Sequence, residues 1–179
     1  SEVEKLIEDM KKVAKELADE SEEHIKRAEE VIDRLAKEVE KHDRDVEDTI
    51  RRLEESDRDK REVEEVLKKI KRSSEELKEK LRRVLEKLRK TSKELEEKLR
   101  EVLKRLEDRI RKLETEDRSS EEVKKRLREM LEELRRRLER LKDKNKEVLD
   151  RLEEKLRKLE KENDDSLKEA EDKLRERER

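Results

Sequence analysis

The amino-acid sequence predicts an all-α fold, a long, nearly straight, antiparallel up-down-up three-helix bundle of coiled-coil character. Three observations carry this. Apolar residues recur at steps of three and four, as in Leu77, Leu81, Leu85 and Leu88 and again in Leu95, Leu99, Leu103 and Leu106, which is the spacing of an amphipathic helix. Gly and Pro, which interrupt helices most strongly, are absent from all 179 positions. The stripe is broken only twice, over residues 54–60 and 114–120, where no apolar residue occurs.

Helix one is expected at about 2–55, opened by a capping-box pair, Ser1 with Glu4. Its stripe is the widest of the three, because Ala14, Ala18, Ala28 and Ala36 extend its flank. Helix two is expected at about 60–114, with Asp59 and Glu62 at capping-box spacing, and helix three at about 120–177, with Ser119 and Glu122 in the same roles. Short connections make sequential neighbours antiparallel, and at about 1.5 Å per residue each helix is roughly 80 Å long. The whole of 1–179 reads as one domain. The pattern repeats every 18 residues: Ser73-Ser74-Glu75-Glu76-Leu77 aligns with Thr91-Ser92-Lys93-Glu94-Leu95, and Val66, Val84 and Val102 share one register. Eighteen residues are five turns at about 3.6 residues per turn, so the stripe drifts neither way and the helices are expected to run straight.

The three segments hold 18, 16 and 15 apolar residues, 27% of the chain, a narrow seam rather than the wide face of a helix inside a larger bundle. That favours a single-chain monomer that requires no partner. The alternative is a protomer that lends its stripe to a homo-oligomer or to a partner helix. Charged residues make up 64%, and 56 Lys and Arg against 58 Asp and Glu leave a net charge of −2 with both signs mixed. Neither nucleic acid nor an anionic membrane surface is an expected partner. No targeting signal and no 20-residue apolar run are present. Without Cys there is no thiolate metal site, and two histidines about 27 Å apart along one helix cannot share an ion. No phosphate loop, nucleophile elbow or HExxH motif occurs. No cofactor, no metal and no enzymatic activity are expected.

The informative residues are polar ones inside the stripe. His24 and His42 fall 18 apart in the register of Leu6, Ser74 and Ser92 in that of Ile110, and Asn145 and Asn163 in that of Leu127. Antiparallel pairs are equidistant from the turn that joins them. His42 with Ser74 and His24 with Ser92 are both centred on residue 58, and Ser92 with Asn145 and Ser74 with Asn163 are both centred between residues 118 and 119. Two buried polar layers are therefore expected: His24 with Thr91, Ser92 and Asn145, and His42 with Ser73, Ser74 and Asn163. A neutral imidazole offers one donor and one acceptor, an amide both, and a hydroxyl whichever is missing. Such layers set register, because a slip by one repeat would place His against Leu. Asp43, beside His42 and in the register of Ile25, is expected at the rim of its layer.

The 18-residue repeat, the Gly-free connections and the Lys, Glu and Arg surface together resemble computationally designed parametric helical bundles, specifically untwisted single-chain three-helix bundles with a five-layer repeat and buried hydrogen-bond networks. The resemblance spans the whole chain. It implies a non-enzymatic structural scaffold, and it implies as an alternative a pH-responsive protomer, since buried His networks in related designs trigger disassembly in acid. This chain departs from those pH-responsive designs in having three helices on one chain and only two histidines.

Overall fold

The structure is a computed structural model that describes residues 2–56, 59–115 and 120–176. It contains three helices, α1 (Glu2–Glu55), α2 (Lys60–Thr115) and α3 (Glu121–Glu176), packed against one another, and no strand occurs among the described residues. The bounds follow from local chemistry. Asp59 caps α2, its Oδ1 accepting the Glu62 amide at 2.9 Å while its carbonyl accepts the Val63 amide at 3.3 Å. The expected caps at Ser1 and Ser119 fall on residues outside those described. At the start of α3 it is Ser120 that caps, through its carbonyl to the Lys124 amide at 3.1 Å and its hydroxyl to the Val123 amide at 3.4 Å. Acidic side chains occupy the first turns (Glu2 and Glu4; Glu62; Glu121 and Glu122) and basic ones the last (Arg52; Lys112; Lys173 and Arg175), where each sign complements the helix dipole.

The chain divides into two compact units, each drawing on all three helices: residues 1–27 with 89–150, and residues 28–88 with 151–179. In the first unit the core is a cluster that includes Leu6, Met10 and Leu17 of α1, Leu106 and Ile110 of α2, and Leu127 and Leu134 of α3. Leu6, Ile110 and Leu127, which share one layer in the 18-residue register, are all present in it. In the second unit Val46, Ile50 and Leu53 of α1 pack with Val63 and Ile70 of α2 and Ala170 and Leu174 of α3.

Ion pairs flank these cores. In the first unit α1 supplies the acid and α2 the base, in Glu20 with Lys98 at 2.8 Å and Asp9 with Arg109 at 2.9 Å. Between α2 and α3 the signs are exchanged, with Glu107 facing Arg135 and Glu114 facing Arg128. In the second unit Glu38 faces Lys80, Glu29 faces Arg151 and Glu160 faces Lys78. These side chains are largely exposed, so each pair contributes about 0–1 kcal/mol and is screened by salt.

Candidate functional site: the polar layers

Polar groups break the apolar seam once in each unit, at the heights that the repeat dictates. In the first unit His24 Nε2 lies 3.2 Å from Ser92 Oγ, joining α1 to α2. Asn145 of α3 turns to Ser21, its Nδ2 donating to Ser21 Oγ at 3.2 Å. The expected His24, Ser92 and Asn145 layer is thus two separate pairs. Thr91 is half-buried and enters neither. Ser21, only 1% exposed, has no place in the sequence-based layer. Its signal was present: it stands 18 residues from both Val3 and Val39, a hydroxyl in an otherwise apolar register.

In the second unit His42 Nε2 lies 2.8 Å from Ser73 Oγ, and Ser73 Oγ donates to the Ile70 carbonyl at 2.9 Å. A hydroxyl has one proton. With that proton on Ile70 O, the imidazole donates from Nε2. Asn163, 1% exposed, donates from Nδ2 to the backbone carbonyl of Ser74 at 2.9 Å, tying α3 to α2. Ser74 itself is 3% exposed, and its hydroxyl is directed at no partner. Asp43, half-buried on α1, and Ser166 on α3 adjoin this layer. Ser166 was also missed, although it replaces the Val148 of its register.

Neither histidine is fully buried, contrary to the expectation of buried imidazoles; both are half-buried. The cause is geometric, since both bond toward α2 and so sit on the flank of the α1 stripe rather than at its centre. The buried polar residues are instead Ser21, Ser74 and Asn163.

Partial burial still acts on His24, where desolvation holds the imidazole below its ordinary pKa of 6.5. The unfolded chain then binds more protons than the folded one below about pH 6.5, so stability present at neutral pH is lost as the pH falls through the folded value. His24→Asn is expected to lose less stability than the parent chain between pH 7 and pH 5 when chemical denaturation midpoints are compared. Equal losses in the two chains would show that His24 does not titrate as a desolvated group.

Among the described residues no group of three or more His, Cys, Asp or Glu side chains is placed to hold a metal ion, and no helix is long and apolar enough to cross a membrane. No protein family matches the chain, and no curated protein matches it. A solved structure described as a computationally designed three helix bundle is similar to it, with 19% identity over 98% of this chain and 83% of the other and a TM-score of 0.46.

Proposed function

We propose that the chain is a non-enzymatic structural scaffold in which His24 with Ser92, Ser21 with Asn145, His42 with Ser73 and Asn163 with the Ser74 carbonyl specify how the helices align. The observation that carries this is the buried Asn163 amide, whose bond to Ser74 O crosses between helices at 2.9 Å. A slip of one 18-residue repeat would break that bond and, where it carries Asn163 to Ser92, would set the Asn145 amide against Ile110, and a buried amide left unpaired costs about 1–3 kcal/mol. The leucine seam alone supplies no such penalty, because its registers repeat. Among the described residues no large hydrophobic side chain is exposed, which supports a monomer that needs no partner to cover its stripe.

Spin labels at Glu20→Cys and Lys98→Cys test the register reading. These positions face one another within the first unit, and a slip of one repeat displaces one label by about 27 Å. The parent background is expected to give one narrow distance. A background with Ser21, His24, Ser92, Asn145, His42, Ser73, Ser74 and Asn163 all replaced by Leu is expected to remain helical and to give a second distance. A single narrow distance in the leucine background would remove the register role.

The depressed pKa of His24 favours a second reading, a pH-responsive or partner-binding protomer of a helical-bundle oligomer. Light scattering at pH 7 and pH 4.5 separates the two. A mass near 22.0 kDa at both values supports the monomeric scaffold, and an oligomer that dissociates in acid supports the second reading.

A further inference from the structure

The chain holds two sulfur atoms, those of Met10 and Met130, and no Cys. Both methionines line one cleft of the first unit, a space of about 60 Å³ that opens to solvent between α1 and α3. Ala14 and Leu134 complete its apolar wall, and the exposed Lys11, Glu133 and Arg137 form its rim. The cleft has a cause in the sequence. Ala14 occupies the register that Ile32 and Ile50 fill with branched side chains, and the carbons it lacks leave space beside both methionines. The two are not equally shielded. Met10 is 2% exposed within the cluster of Leu6 and Leu127, whereas Met130 is half-buried at the edge of that cluster.

We propose that Met130 is the residue at which a peroxide first oxidises this chain, reached through the cleft beside Ala14, and that its sulfoxide then admits the oxidant to Met10. A water molecule needs about 10–15 Å³ of such space, so hydrogen peroxide, two oxygens long, is admitted. A lone pair on Met130 Sδ attacks one peroxide oxygen. The S–O bond forms as the O–O bond breaks, and the proton of the transferred oxygen passes to the departing hydroxide, which leaves as water. Sulfur loses two electrons and the peroxide gains them. Without Cys, no thiolate competes for the oxidant.

The product no longer suits its surroundings. A sulfoxide oxygen is a hydrogen-bond acceptor, and among Met10, Ala14 and Leu134 it finds no donor, which is costly. It turns to the rim, where the Lys11 ammonium and the Arg137 guanidinium can donate; Arg137 holds Glu133 at 3.0 Å and keeps further N–H groups. That turn withdraws the Met130 side chain from the wall and makes local opening around Met10 less costly. Oxidation is then ordered: Met130 reacts in the folded chain, and Met10 reacts through opening, faster once Met130 carries its oxygen.

The experiment treats the full chain with hydrogen peroxide at pH 7 and follows added oxygen by mass spectrometry of its peptides. Met130 is expected to oxidise about tenfold or more faster than Met10, because a shielded thioether reacts only in its opened fraction. Ala14→Ile, its fold checked by circular dichroism, is expected to slow Met130 severalfold by refilling the cleft. Met130→Leu nearly conserves volume and is expected to slow Met10, since no sulfoxide forms beside it. Equal rates for the two methionines, or Met10 reacting first, would overturn the proposal, and that readout needs no variant. It would equally fall if a folded Ala14→Ile chain oxidised at Met130 as fast as the parent, because the oxidant would then arrive by another route. An unchanged Met10 rate in Met130→Leu would overturn the ordered second step.

Discussion

Leu127→Ala is expected to lower the stability of the chain by about 3 kcal/mol, within the 2–5 kcal/mol range of buried leucine truncations. Leu127 is 1% exposed and stands in the cluster that holds Leu6 and Ile110. A cross-section of three helices has few side chains per layer, so no distant neighbour can move in to fill the space, and both the transfer energy and the cavity term are lost. Ala does not weaken the helix itself. The change is therefore read as packing. Denaturant midpoints followed by circular dichroism check it, with Val123→Ala as the comparison, because Val123 is only partly buried against the same cluster. If the two substitutions cost the same, the core is not packed around Leu127.

Asn163→Asp is expected to be at least as damaging at neutral pH and to recover in acid. The substitution hardly alters volume. It replaces the Nδ2 donor, 2.9 Å from the Ser74 carbonyl, with an oxygen that can only accept when ionised. Two acceptors then face each other at a position 1% exposed, where an unpaired charge costs several kcal/mol, on the order of 3–5. The new carboxyl meets this cost by raising its pKa. Once protonated it donates to Ser74 O as the amide did, so stability is regained as the pH falls through the raised value. Asn163→Leu cannot recover in this way and is expected to cost about 0.5–1.5 kcal/mol at every pH, the net worth of one hydrogen bond, because the Ser74 carbonyl keeps its acceptor role within α2. Midpoints of both variants at pH 7 and pH 4 test the contrast, and an aspartate variant that does not respond to pH would contradict the bond to Ser74.

The fold was legible because the apolar stripe and its two gaps are the strongest signals in the chain. The described helices α1 and α2 run Glu2–Glu55 and Lys60–Thr115, and the cap at Asp59 is where the spacing placed it. The cap of α3 was not legible, since Ser119 and Ser120 are adjacent and either can serve. The heights of the polar groups were readable and their partners were not. An 18-residue register tells how far along a helix a residue lies, whereas the choice of partner depends on angle. Three residues turn a helix by about 300°, so Ser21 projects about 60° around from His24. One of them reaches α3 and the other α2. Asp43 is one residue beyond His42, about 100° around, which places it on the side of Ser166 rather than Ser73. A register argument that carried angle as well as height would have separated these pairs.

The polar contacts also differ in how much chain they enclose. His42 and Ser73 are 31 residues apart, whereas Ser21 and Asn145 are 124 apart, two doublings of loop length. At about 0.6 kcal/mol per doubling, closing the longer loop from an unfolded chain costs about 1.2 kcal/mol more. The contact of α1 with α2 in the second unit is thus a cheaper encounter than that of α1 with α3 in the first, and it requires nothing from α3. A nascent chain leaving a ribosome holds both of its halves before the third helix has been made, so order of synthesis and entropy of closure favour the same first step.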